Sequence, residues 1–169
     1  SATSTYGNFG YIFGQTSYEG TTLVSQRYKS SSSSTDSYYI PSNLEEVVIA
    51  PKGEYNIPMY AFSGLGLVEK ITLSGNITEI GEYAFQNCRD LVSVNVPQSV
   101  KTIYKRAFVG CEMLDDGFKF DADSTLVEIK ENAFDGSKIA EIVIPASVKK
   151  IGNYCFANSA LNKMFSLMP

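Results

Sequence analysis

The chain has 169 residues, of which 44% are apolar and 19% charged, with a net charge of −4 and no histidine. That is enough apolar material for one substantial core, and no run approaches the roughly 18 apolar residues of a membrane-spanning helix. Without imidazole, Ser-His-Asp and Cys-His nucleophile systems and His-ligated zinc are excluded within the chain. The basic groups in the sequence, Lys101, Lys105 and Arg106, and Lys149 with Lys150, are small and flanked by acids, which argues against a nucleic-acid partner.

Residues 1–43 differ in composition from everything that follows. Tyr6, Tyr11, Tyr18, Tyr28, Tyr38 and Tyr39 lie among glycines and serines, and Ser30 to Ser34 form an unbroken serine run. The run reads as a loop, and the β-prone stretches on its two sides, Thr21 to Tyr28 and Ser37 to Ile40, predict a hairpin with the serines at its tip. Gly10-Tyr11-Ile12-Phe13 resembles a degenerate copy of the later segment Gly81 to Phe85. The expectation is a partial first repeat ending near Phe13, interrupted by a Ser/Tyr-rich insertion that runs to residue 43.

From residue 44 to 169 the sequence repeats itself, as five repeats and a partial sixth. The pair Ala61-Phe62 recurs as Ala84-Phe85, Ala107-Phe108, Ala133-Phe134 and Cys155-Phe156, with phenylalanines 23, 23, 26 and 22 residues apart. Such a period marks a solenoid, in which no unit buries its apolar side chains alone and each stacks on its neighbours. Upstream of each pair lie apolar residues two apart, as in Val47 and Ile49, Ile71 and Leu73, Val94 and Val96, Phe118 and Phe120, Ile142 and Ile144. That is the strand period, so each unit supplies one short strand. A second apolar pair, three apart, follows: Ile77 and Ile80, Val100 and Ile103, Leu126 and Ile129, Val148 and Ile151. This spacing predicts one helical or 3₁₀ turn per unit. The fourth unit is the long one, with Gly117 and Asp121 to Ser124 supplying its extra residues.

Stacking aligns the residues between the inward strand positions. Val48, Thr72, Asn95, Lys119 and Val143 should form one outward column, flanked by Glu46, Lys70, Ser93 and Glu141. Phe85 and Phe108 should be stacked neighbours in the core. Three cysteines, Cys88, Cys111 and Cys155, are an odd number without a zinc spacing; Cys88 and Cys111 occupy one repeat position, where stacking allows either a disulfide or, as the favoured reading, two buried reduced thiols. The chain's last stretch, Leu161, Met164, Phe165, Leu167 and Met168, begins a sixth unit whose open edge is a template for another strand, so self-association there is an expectation.

Other chemistries find little support. Asp115, Asp116, Asp121, Asp123 and Glu128 form an acidic stretch, but Leu126 and Asn132 stand where a calcium loop of the EF-hand kind needs its glycine and final glutamate. Gly7, Gly10 and Gly14 belong to no phosphate-loop pattern. No catalytic residue, cofactor or metal ligand is assigned.

The pattern Leu91-Val-Ser-Val-Asn-Val-Pro97, then Ser99-Val-Lys-Thr-Ile103, then Ala107-Phe108 and Cys111, resembles the BspA-like, or Treponema pallidum-type, leucine-rich repeats. The resemblance covers about residues 44–169 and implies a right-handed α/β array with one strand and one helical turn per repeat. It also implies a cell-surface or secreted protein of a host-associated microbe, without membrane insertion in this stretch, that adheres to host or bacterial protein or glycan. The other reading is a structural spacer that positions a further domain. The residues expected to meet a partner are Val48, Lys70, Thr72, Asn95, Lys119 and Val143 on the wall, with Tyr18 and Tyr28 near the serine loop as a second contact.

Overall fold

A computed structural model describes residues 8–27, 35–115 and 117–166. The chain coils into a β-solenoid with two walls. One wall is the parallel sheet of β3 (Glu46–Ile49), β5 (Lys70–Leu73), β7 (Ser93–Val96) and β9 (Gly117–Phe120). It is followed by the separate pair β11 (Glu141–Ile144) and β13 (Lys163–Ser166). The second wall is the five-stranded sheet of β4 (Tyr55–Ile57), β6 (Ile77–Ile80), β8 (Thr102–Ile103), β10 (Glu128–Ile129) and β12 (Lys150–Ile151).

This second wall corrects the expected helical turn. Ile77 and Ile80 are both fully buried, yet they bracket a strand. Val100 instead sits on a turn closed by its own N–H to the Pro97 carbonyl at 3.1 Å, and Ile103 follows in β8. Opposite β4 the pairing shifts register between Ile77 and Glu79, and an extra residue there brings Ile77 and Ile80 to one face of a strand, so spacing by three arises without a helix. Among the described residues there is no α-helix, and the one 3₁₀ segment is Phe9–Ile12.

The Ala-Phe segments are turns for a specific reason. Tyr60, Tyr83, Arg106, Asn132 and Tyr154 have φ between 55° and 59°, and four residues later Gly64, Asn87, Gly110, Gly136 and Asn158 have φ between 52° and 77°. Across these left-handed residues only alternate N–H groups close i to i+3 turns, as in Ala84 to the Gly81 carbonyl (3.2 Å) and Gln86 to the Tyr83 carbonyl (3.1 Å), so no helix propagates. The backbone bonds between units instead. The N–H groups of Phe62, Phe85, Phe108 and Phe134 donate to the carbonyls of Ala84, Ala107, Ala133 and Cys155, each at 2.8 Å.

These bonds set the phenylalanines in a column. Phe62, Phe85, Phe108, Phe134 and Phe156 stack with centroids 5.0 to 5.3 Å apart and planes within 11° of parallel. Cys88 and Cys111 lie fully buried beside it as free thiols, each donating its S–H to the carbonyl of the preceding unit's phenylalanine at 3.1 Å. Burial pushes the Cys88 thiol up to about 12 and Cys111 well above its ordinary value, so both are protonated packing groups at neutral pH. In the fourth unit Ser137 takes that position, and its buried hydroxyl finds no partner among the described residues.

At the other end Phe9, not Phe13, fills the first place in the column. Its N–H donates to the Ala61 carbonyl at 2.7 Å, and its ring lies 5.2 Å from Phe62, while Phe13 packs edge-on against Phe9 at 5.5 Å. The hairpin of β1 (Thr21–Arg27) and β2 (Thr35–Pro41), paired from Thr21↔Pro41 to Arg27↔Thr35, covers this end. Gln26 is its fully buried tie. Its Oε1 accepts the Gly10 N–H at 2.6 Å, and its Nε2 donates to the Ala61 and Ser63 carbonyls at 3.3 and 3.0 Å. The carbonyl of Gln86, equivalent to that of Ser63 one unit on, accepts a backbone N–H from Gly64 at 2.7 Å. The glutamine amide thus supplies the donor that the first turn does not, since the Tyr11 N–H there bonds the Asn8 carbonyl at 3.1 Å. Gly10 is required beneath it, because a Cβ there would lie 2.6 Å from both Gln26 Oε1 and a Tyr38 ring carbon.

Candidate binding surface

The first wall holds the outward column in register. Val48, Thr72, Asn95 and Lys119 are consecutive ladder partners, with Val48 61% exposed and Asn95 and Lys119 also exposed. Their strands alternate as the pleat requires, with Val47, Ile71, Val94 and Phe118 turned inward. Lys70, two residues before Thr72, does not present a free charge. Its amine lies 2.9 Å from Glu46, and this contact holds the Glu46 carboxyl below its usual range. Asn95 donates to Asp121 at 2.8 Å, and the other Asp121 oxygen accepts the Gln98 N–H at 3.1 Å.

Val143 departs from the expected column. It is exposed, but β9 and β11 belong to separate sheets, so Lys119 and Val143 are not ladder partners. Val143 pairs instead with Phe165 of β13, which is 45% exposed and lies under the Lys163 amine at 4.8 Å. The cause of the break is steric. Phe118 stands where the other units carry Val or Ile, and its ring wedges edge-on against Phe108 and Phe134 at 5.4 and 4.8 Å. Phe120 packs edge-on against Phe118 at 5.2 Å. The parted strands leave a cleft of about 350 Å³ lined by Phe118, Phe120, Ile142, Val143, Pro145 and Phe165, with Lys119, Asp121 and Glu141 around it. The sequence carried the signal, two phenylalanines in the longest unit, but spacing alone does not separate a surface loop from a parted ladder.

Tyr18 is 48% exposed beside the hairpin, its carbonyl accepting the Thr21 hydroxyl at 2.6 Å. Tyr28, the serine run, Asp116, Leu167 and Met168 lie outside the described residues. The acidic stretch is used locally: Asp115 accepts the Gly117 N–H at 3.2 Å, Asp121 holds Asn95 and Gln98, and Glu128 pairs with Lys150 at 2.8 Å. Among the described residues no group of three or more acids and cysteines is placed to hold a metal, and no helix is long and apolar enough to cross a membrane.

The sequence matches the BspA type leucine rich repeat region in 6 copies over residues 31–163. No curated protein matches it. Among solved structures it is similar to the pneumococcal vaccine antigen PcpA, with a TM-score of 0.67 and 23% identity over 76% of this chain and 31% of that one. The leucine-rich repeat protein of T. pallidum gives 0.63 and 24%, covering 72% of this chain and 58% of its own. One from Bacteroides ovatus gives 0.65 and 28%, covering 90% and 41%. The chain therefore spans less than two thirds of each of these relatives. With the repeat match extending over most of its length and the same coil in the solved structures, the chain belongs to the BspA-type leucine-rich repeat family.

Proposed function

We propose that this chain is a non-catalytic binding module of a bacterial cell-surface or secreted protein, and that its first wall receives a protein partner with the cleft between β9 and β11 as the anchor. The observation that carries this reading is the cleft itself. At about 350 Å³ it falls within the size of a specific pocket, roughly 300–1,000 Å³, and aromatic and aliphatic side chains line it. An apolar side chain seated there gains the desolvated, central packing typical of interface hot spots. The exposed rings and methyls of Val143 and Phe165 extend the apolar surface from its rim. The likeness to a vaccine antigen supports a surface location.

The test is capture by the immobilised chain of purified host matrix proteins and of bacterial surface proteins, measured by surface plasmon resonance. A bound protein should lose about tenfold or more in affinity with Val143→Glu, which places a charge at the cleft rim. Val48→Glu, at the far end of the same wall, should have a smaller effect, and Tyr18→Ala reports on the second contact. Specific binding that Val143→Glu leaves intact moves the site away from the cleft. No binding, with a monomeric elution profile, favours the spacer reading.

A further inference from the structure

The second wall carries a charge pattern that the linear sequence disperses. Along β6, β8, β10 and β12 the register runs Glu79, Thr102, Glu128, Lys150. Beside this row, backbone bonds of 2.8 Å join Lys101 to Thr78, Val127 to Lys101 and Lys149 to Val127, aligning Lys101, Val127 and Lys149. On its other side the N–H groups of Tyr104, Lys130 and Gly152 donate to Ile80, Ile103 and Ile129, aligning those three. Lys101, Lys105, Lys130, Lys149 and Lys150, drawn from three units, therefore share one face.

The acids on this face do not neutralise it. Lys150 pairs with Glu128 at 2.8 Å and Lys105 with Glu131 at 3.3 Å. Lys130 lies 3.9 Å above the Tyr104 ring, and Lys101 donates to the Thr125 hydroxyl at 2.9 Å. Among the described residues Lys101, Lys130 and Lys149 form no salt bridge, although the Glu128 carboxylate also attracts Lys130, and five lysines against Glu79, Glu128 and Glu131 leave the face cationic on a chain whose net charge is −4. At Gly152 a Cβ would collide with the backbone of Lys130 and Glu131, so the glycine lets adjacent units approach closely, and beside it lies an open hollow of about 520 Å³ lined by Lys105, Lys130, Lys150 and Asn153 together with Glu128 and Glu131.

We infer that this wall, over the third to fifth units, binds an acidic glycan through the sulfate or carboxylate groups of its sugars. Lys101 and Lys149 are two strand steps apart, roughly 10 Å, a span suited to a chain lying along the solenoid axis and too broad for one small anion. The face is open and polar, as a hydrated ligand requires. Tyr104, in the row beside Lys130, is covered by the Lys130 amine at 3.9 Å and offers no free platform for stacking unpaired bases. This site is independent of the cleft on the first wall, and either can fail without the other.

The test uses the whole chain with heparin as a sulfated probe, polygalacturonate as a carboxylate probe and dextran as the neutral control, at about 0.15 M salt. Heparin or polygalacturonate should bind, with affinity falling as salt rises, and dextran should not. The Lys101→Gln, Lys130→Gln, Lys149→Gln triple variant should weaken binding about tenfold or more, while the corresponding triple arginine variant keeps it. Lys70→Gln on the first wall should leave it unchanged. Acidic glycans retained no better than dextran, a triple glutamine variant with a native melting curve and undiminished binding, or duplex DNA bound as tightly as heparin would each overturn the inference.

Discussion

Replacing Phe108 by alanine is expected to remove about 3–5 kcal/mol of unfolding free energy, the usual cost of a buried phenylalanine. Its ring is fully buried, stacked between Phe85 at 5.0 Å and Phe134 at 5.3 Å, with Phe118 edge-on at 5.4 Å. In a solenoid the loss falls on both neighbouring interfaces, because stability is the sum of unit terms and contacts between adjacent units. Against a total margin of about 5–15 kcal/mol, urea unfolding followed by circular dichroism should show a much lower midpoint or a split transition. Val48→Ala, on the exposed outward column, should change stability by less than about 0.5 kcal/mol. A loss at Phe108 no greater than that at Val48 would deny the column its role.

Gln26→Leu is the second large effect, expected at about 2–5 kcal/mol because buried hydrogen-bonding groups lose their partners. Leucine fills nearly the same volume, so the effect isolates the amide. The Gly10 N–H and the Ser63 carbonyl are left without their partner, whereas Ala61 retains the Phe9 N–H at 2.7 Å. The damage should be local. Proteolysis should cut the hairpin region of residues 21–41 sooner than in the parent chain, while the units from Phe85 onward keep their protection. Uniform destabilisation with no gain in hairpin cleavage would mean that Gln26 acts only as core filling.

The repeat and its inward strand residues were legible because both are written as spacing. Phe62, Phe85, Phe108, Phe134 and Phe156 recur, and a residue between two inward neighbours faces out in any strand, which placed Val48, Thr72, Asn95 and Lys119 correctly. The second wall was misread because periodicity fits one helical turn as well as the register-shifted strand of Ile77 and Ile80, or the turn followed by a strand at Val100 and Ile103. The deciding signal lay elsewhere, in the left-handed positions where Gly64, Asn87, Gly110, Gly136 and Asn158 align. Phe13 was mistaken for Phe9 because the first turn lacks the Ala-Phe pair and is held by Gln26, a residue from the hairpin that no local pattern connects to it. The charge on the second wall was invisible for a related reason. Lys101, Lys130 and Lys149 become neighbours only when units stack.

The cleft depends on one structural claim, that the first wall is interrupted between β9 and β11. Amide hydrogen exchange on the free chain reads this directly. Amides in the ladder between β5 and β7 should exchange slowly, whereas those of Glu141–Ile144 that face β9 should exchange markedly faster than those facing β13. Equal, slow exchange on both sides of β11 would mean a continuous sheet from β3 to β13, with no cleft for a partner to enter.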